Sequence, residues 1–446
     1  RILKSSSENG CSMAEQFDAI VIGAGVIGAA VGLELTRKGY KTINIDKLPA
    51  AGYGSTSGSC AIIRTYYSTV DGSALAYEGY YYWKNWQAYL GLDDGEDLAY
   101  FHETGTMVMK VEENGFMKKA MSIADQIGVP YEEWTNDDIR KKMPHYDLNC
   151  FHPPKRPDQD GFGEPTGGDV GGAVFFPKGG YINDPQLSAQ NIRKAAEKLG
   201  GSFRFNAELT EIRKKSDGSI AGVTLKDGSQ INAPILVNVA GPHSAKVNAL
   251  AGALDDMNVK TRALKQEVTH VPMPVEGWYE NGFVTSDSDI ACYTRPEKGN
   301  FLLIGSEDPP CDTQIEVDPD NWDRNFSEQW RIQALRVAQR IPSLGIPSVM
   351  KGITELYDVS DDWIPIYDKS QVPGFYMAIG SSGNQYKNAP VAGKMMAELI
   401  HKDQNGQDHD KDPVIFHMDY TNRDLNLGFF SRRREINKDS TFSVLG

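Results

Sequence analysis

The stretch FDAIVIGAGVIGAAVGLELTRKGYKTINID, residues 17–46, decides the fold. FDAIVIG is a short apolar run of the kind that makes a buried parallel strand. It breaks at GAGVIG, after which VIGAAVGLELTRKG has helical spacing and stops at Gly39, a residue suited to the position just past a helix. KTINID reads as a second strand, so the whole is a βαβ unit. Its opening turn holds GxGxxG as Gly23, Gly25 and Gly28. The first glycine permits the tight turn, the second lets backbone approach a pyrophosphate, and the third lets helix and strand pack closely. The helix N-terminus adds N–H donors and partial positive charge for the anion. Asp46 closes the second strand, placed to accept from a ribose hydroxyl. This context predicts a dinucleotide site; the bland alternative is a glycine turn in an ordinary α/β sheet.

Downstream, GSTSGS (54–59) is a small-residue turn leading into AIIRTYYST and an aromatic-rich helix, ALAYEGYYYWKNWQAYLG. Residues 150–172, rich in Pro and Gly, read as a surface loop or lid. GGYINDPQLSAQNIRKAAEKLG is a turn and a helix, with Asp184 and Pro185 as N-cap and first helical residue. Strands follow in SFRFNAELTEIRK, IAGVTLKDG, ILVNVAGP and residues 260–306, and SEQWRIQALRVAQRI is an amphipathic helix. GFYMAIG is a final strand and APVAGKMMAELIHK a final helix. Beyond Asn405 the chain is polar and aperiodic, which predicts a tail lying on the surface.

A chain of 446 residues suffices for two domains or one composite. The net charge of −14 argues against a nucleic-acid or anionic-membrane partner. No apolar run approaches the ~20 residues of a membrane helix. Residues 1–12 lack a signal-peptide core and read as an extension before Met13, so a cytoplasmic location is expected. The 5 cysteines are scattered without a CxxC, and the 8 histidines lack HExxH spacing, so neither a disulfide framework nor a metal site is expected.

GxGxxG does not separate NAD from FAD, but GSTSGS, VNVAGP (237–242) and GSSGNQYKNAP (380–390) look like distant segments gripping a flavin. Together with GGYINDP and YTRPEKGNFLLIGSED, their shared order resembles the D-amino-acid-oxidase-like flavoproteins, nearest the sarcosine oxidase and the sarcosine and dimethylglycine dehydrogenase branches. The resemblance runs from about Phe17 to about Ile400. It implies an α/β (α+β composite) fold: a Rossmann-like FAD-binding domain of discontinuous segments (13–98, 181–250, 351–402) and a β-rich substrate domain (99–180, 251–350), followed by the tail 403–446. FAD contacts are implied at Gly23, Gly25, Val26, Ile27, Gly28, Asp46, Lys47, Ser55, Thr56, Leu209, Ala240, Gly241, Gly380, Gly383, Asn384 and Lys387. In sarcosine oxidases an IIR tripeptide supplies an arginine for the substrate carboxylate, and a lysine in an SGHGFK-like loop is its partner. The matching residues are Arg64 in AIIRTYY and Lys387 in SGNQYK. A planar fork and a point charge converging on one anion suit an amino acid; the alternative for each is an ordinary salt-bridged residue. Tyr357 and Tyr67 match active-site aromatics, or are core residues with satisfied hydroxyls. Arg295 is a weaker candidate, or a structural pair on a strand.

Departures from the family also inform. Branches that link flavin covalently carry a cysteine where Glu355 stands, or a histidine where Gly58 stands, so FAD is expected to bind non-covalently. The lysine that promotes reaction with oxygen is matched by Leu303, which favours a dehydrogenase over an oxidase. The resemblance implies oxidation of the C–N bond of an N-methylated or other secondary or tertiary amino acid, such as sarcosine or dimethylglycine, to an imine that hydrolyses, with the electron acceptor left open. Two alternatives stay open: a D-amino acid dehydrogenase or oxidase, and a flavoprotein subunit or maturation partner without turnover on free amino acids. A plain NAD dehydrogenase fits least.

Overall fold

The structure, a computed structural model, describes residues 14–93 and 95–446; the extension assigned to residues 1–12 lies outside them. Ala19–Ile22 (β1), Val26–Arg37 (α1) and Thr42–Ile45 (β2) form the expected βαβ unit, and both strands are buried throughout. Asn44 locks its glycine turn: the side-chain amide donates to the Gly23 and Gly28 carbonyls at 2.9 and 2.8 Å. Val70–Lys84 (α2), Pro185–Lys198 (α3), Ser202–Arg204 (β3), Ile235–Asn238 (β4), Ile366–Lys369 (β5), Phe375–Ile379 (β6) and Ala389–Gln404 (α4) follow in the chain. Asp184 caps α3 through the Leu187 N–H, with Pro185 at its start.

The six strands lie in the order β3-β2-β1-β4-β6-β5, parallel except for β5 against β6. The sheet is thus assembled from segments far apart in sequence. Successive residues of each strand face opposite sides. Val21 and Val237 face the layer of α1, α3 and α4, while Ile20, Ile22 and Leu236 face a smaller sheet that includes Leu209–Lys214 and Ile220–Leu225. Both faces are therefore apolar, as a parallel strand requires.

A nine-stranded sheet makes the second unit, with Thr261–Pro272, Phe301–Ser306, Cys292–Glu297 and Val284–Asp287 at its centre. Its core residues Met107, Val271 and Ile304 cluster with Trp330 of the helix Glu328–Arg340. One strand departs from the division drawn by sequence. Gly352–Ser360, in the stretch assigned to the FAD domain, pairs antiparallel with Thr261–Thr269, setting Tyr357 opposite Leu264. The chain then returns to the six-stranded sheet as β5, so this strand carries Tyr357 to the boundary between the units.

The residues after α4 are not a surface tail. Ile415–Met418 and Arg423–Asn426 pair as a hairpin, and Phe416, Met418, Leu425, Leu427 and Phe430 join the main core. Arg432 is fully buried, ion-paired with Asp256, Asp368 and Asp410 at 2.5, 2.9 and 2.9 Å. Arg434 pairs with Asp362 at 2.7 Å. The sequence hides this anchor because it is ionic, and because only alternate residues of a short hairpin face inward. Among the described residues no helix is long and apolar enough to cross a membrane.

Candidate active site

A cavity runs from the glycine turn to the boundary between the sheets. At one end Gly23 has φ +115°, and a Cβ there would lie 2.2 Å from the Val239 carbonyl oxygen; one on Gly28 would lie 2.4 Å from that of Gly23. Side chains are excluded from this turn by backbone contact. Gly25 starts α1 without a side-chain cap. Thr56 approaches from the GSTSGS turn, its hydroxyl accepting the Val26 N–H at 3.0 Å. Behind the turn, Asp46 accepts the Ala24 and Leu48 N–H groups at 2.8 and 2.9 Å. Burial raises its pKa, opposed by those two hydrogen bonds. A glycine-led helix start, a turn without side chains and a carboxylate at the next strand end fit a dinucleotide such as FAD.

The second loop closes the far end. Buried Asp358 accepts the Gly380 N–H at 2.6 Å, and its carbonyl accepts the Ser382 N–H at 2.7 Å. Burial pushes its carboxyl up to about 7. Gly383 has φ +68°, and a Cβ there would lie 2.3 Å from the Tyr357 ring. Gly25, Val26, Ile27, Gly28, Ser55, Thr56, Gly241, Gly383, Asn384, Lys387, Arg64 and Tyr357 line this one cavity. Ala240 and Gly380 are next to lining residues in the chain, whereas Gly23 and Asp46 stand one step behind the lining, Asp46 meeting the turn through the Ala24 N–H. Lys47 instead reaches Asp320 at 2.9 Å and His243 at 2.8 Å on the surface. Leu209 opens a strand packed on the lower core.

Arg64 and Lys387 are both buried, at 6 and 3% exposure. Neither has a carboxylate partner among the described residues. The Lys387 amine donates to the Asn384 carbonyl at 2.7 Å and the Tyr67 hydroxyl at 2.9 Å. Burial, and behind it the Arg64 guanidinium, hold that amine well below the usual lysine range. Tyr67 donates in turn to the Asn384 carbonyl at 2.5 Å, and the Arg64 guanidinium lies 4.0 Å from its ring centroid. Burial raises the Tyr67 and Tyr357 hydroxyls above the usual tyrosine range. Arg295 pairs with Glu297 at 2.8 Å along their strand and stacks on Tyr181. Leu303 packs with Cys60 and Val268 beside the cavity. Gly58 and Glu355 face each other, a Cβ on Gly58 falling 2.6 Å from the Glu355 Cγ.

Several site residues escape sequence reasoning. Tyr66, not Tyr67, contributes to the lining, as does Ser286, whose hydroxyl donates to buried Glu307 at 2.6 Å. Burial pushes the Glu307 carboxyl up to about 7, against the Ser286 and Ser288 hydroxyls. Residues 444–446 are the larger surprise. Arg64 donates to the Val444 and Leu445 carbonyls at 3.0 and 2.7 Å as well as to that of Tyr66 at 2.5 Å. Ser68 donates to the main-chain oxygen of Gly446 at 2.6 Å. A position next to Tyr67 or Tyr357 could have flagged Tyr66 or Asp358; nothing local flags Val444.

Among the described residues no group of His, Cys, Asp and Glu could hold a metal ion. The family model for DAO, FAD dependent oxidoreductase, matches residues 18–399. The chain is 22% identical over 403 residues to a glycine oxidase of Geobacillus kaustophilus, covering 89% of this chain and 96% of that one. It is 24% identical over 399 residues to a sarcosine oxidase subunit beta of Rhodobacter capsulatus, covering 87% and 86%. Its fold is similar to the crystal structure of L-proline dehydrogenase from P. horikoshii, with a TM-score of 0.74 at 19% identity over 95 and 98% of the two chains.

Proposed function

Because the chain belongs to the DAO family of FAD-dependent oxidoreductases, we propose that it oxidises the C–N bond of a small amino acid with a secondary or tertiary amine, of the sarcosine or dimethylglycine kind. One observation carries the reading. Two buried basic side chains, the Arg64 guanidinium and the Lys387 amine, lack a carboxylate partner among the described residues, in a cavity continuous with a dinucleotide cradle. Buried charges are ordinarily paired, and leaving one alone is costly. A substrate carboxylate supplies the missing charge.

The residues divide the work. The glycine turn, Thr56 and Asp46 hold the dinucleotide, and the Asp358-braced loop holds the other end of the cofactor. Arg64 and Lys387 fix the carboxylate, which orients the amine-bearing carbon. Tyr66, Tyr293 and Tyr357 supply aromatic walls that exclude water and favour the neutral amine. Bound FAD supplies the acceptor for the hydride equivalent. Attachment is non-covalent in this reading, since neither Gly58 nor Glu355 offers the sulfur or imidazole that linkage needs. Leu303 in place of a cation beside the cavity favours an acceptor other than oxygen.

The test is an anaerobic visible spectrum of the purified protein with sarcosine, dimethylglycine, proline and D-amino acids added in turn, followed by air. Bleaching by the N-methylated compounds and slow recolouring are expected. Bleaching by D-amino acids alone would move the substrate class. A yellow protein that none of them bleaches would replace the reading with that of a partner-dependent flavoprotein.

A further inference from the structure

The proposed carboxylate clamp already has an occupant of its own chain. We propose that residues 444–446 are an internal ligand of Arg64 that a substrate carboxylate displaces, so that the segment screens amines for a carboxylate. This rests on the amino-acid reading of the cavity and sharpens its substrate class.

The geometry supports it on three counts. First, both Val444 and Leu445 turn their carbonyls onto the same Arg64 nitrogen, Nη2, at 3.0 and 2.7 Å, and Tyr66 takes Nη1. A carboxylate seeks the same guanidinium edge for a two-pronged contact. Both cannot have Nη2. Second, the hold on residues 445 and 446 is local, whereas Val444 packs with Leu264, Val359 and Trp363 and gives its N–H to Asp308. Ser68 fixes Gly446 at 2.6 Å, and the Leu445 and Gly446 N–H groups return to the Ser443 hydroxyl and carbonyl at 3.2 and 3.0 Å. The firm anchor lies upstream, at Arg432 with its three aspartates and at Arg434 with Asp362. Between anchor and ligand, Phe442 is 42% exposed and sits at φ +53°, a strained conformation for a residue with a side chain. The segment has a natural point of release. Third, Val444 and Leu445 line the cavity, so their movement enlarges the space beside Lys387.

The exchange has a direction. Arg64 trades hydrogen bonds to neutral carbonyls for charge-assisted ones to a carboxylate, which are stronger. A ligand shifts a conformational equilibrium only through differential affinity for the two states. An amine without a carboxylate has nothing to offer Arg64 and leaves the segment where it is.

Hydrogen–deuterium exchange on the flavin-loaded protein tests this with acetate and with methylammonium as probes, alongside flavin absorbance. Acetate is expected to perturb the flavin spectrum and to speed exchange at Leu445 and Gly446 several-fold; methylammonium is expected to do neither at the segment. Ser68→Ala, which removes one anchor without touching the clamp, should tighten acetate binding roughly three- to ten-fold. If acetate shifts the flavin spectrum while residues 443–446 stay protected, displacement is wrong and the carboxylate site stands. If acetate changes neither signal, the carboxylate site falls and the proposal with it. Opening by methylammonium, or unchanged acetate affinity in Ser68→Ala, would also overturn the screen.

Discussion

At the scale of single residues, Lys387 links the site to pH. Its amine is enclosed by Asn384, Tyr67 and Arg64, and burial together with that guanidinium favours the neutral form. A carboxylate bound between the two side chains opposes both causes and raises the pKa again. Between the lower value without ligand and the higher one with it, binding takes up a proton. Affinity for a carboxylate should therefore fall as pH rises through that interval, approaching tenfold per pH unit for one proton. Acetate titrations followed by flavin absorbance across pH would measure this. Lys387→Met should bind acetate more weakly and without that slope. A wild-type affinity flat across pH would show that Lys387 keeps one charge state throughout. Tyr67 does not confuse the measurement, since burial moves its hydroxyl upward, away from the range concerned.

At the scale of elements, the hairpin arm makes the clearest case. Arg432 has no exposure and three carboxylates around it, so its removal leaves buried negative charge uncompensated. Arg432→Met should lower stability by roughly 3–5 kcal/mol, measured by chemical denaturation. Exchange protection should be lost first across residues 414–430; loss spread evenly over the β1–α1–β2 unit would remove the arm as a separate element. The arm also shows where sequence reading stops. The βαβ unit is legible because its periodicity and turn chemistry sit within one short stretch and agree. The arm depends on Asp256 and Asp368, which come from distant segments. Arg64 and Lys387 stand out as residue types, yet the partners of Arg64 are main-chain carbonyls, which every sequence possesses. Tyr66 and Tyr67 differ for another reason: neighbours in extended chain point opposite ways. Their identities are the same, and only the backbone path puts Tyr66 on the cavity.

At the scale of the whole molecule, buried carboxyls set the pH at which the two sheets hold together. Glu307 in the substrate unit, Asp358 at its boundary with the FAD unit and Asp308 beside Gln266 are raised by burial to about 7, about 7 and about 6. None has a cationic partner among the described residues. The folded protein thus holds protons that the unfolded chain releases at ordinary carboxylate pH. Stability from these groups is complete below the unfolded pKa and is lost as pH rises through the folded value. Asp362 and Asp410 run the other way: burial raises them, but the Arg434 and Arg432 contacts prevail and lower them. Their contribution is lost only on acidification below the usual carboxylate range. The two sets leave maximum stability near the ordinary carboxylate pKa, about pH 4, with a decline toward about pH 7.5. Thermal melts of the flavin-loaded protein over that interval should show Tm falling. In Glu307→Gln the amide keeps the shape and stays neutral, so the decline should shrink by on the order of 3 kcal/mol. A wild-type Tm that is level or rising over the interval would exclude the carboxyls as the cause, and an unchanged decline in the variant would exclude Glu307. The group's place gives the loss a direction: Glu307 accepts from Ser286, which lines the cavity with Tyr66 and Arg64. Ionising Glu307 therefore loosens the wall of the cavity nearest the clamp before it loosens the nucleotide cradle.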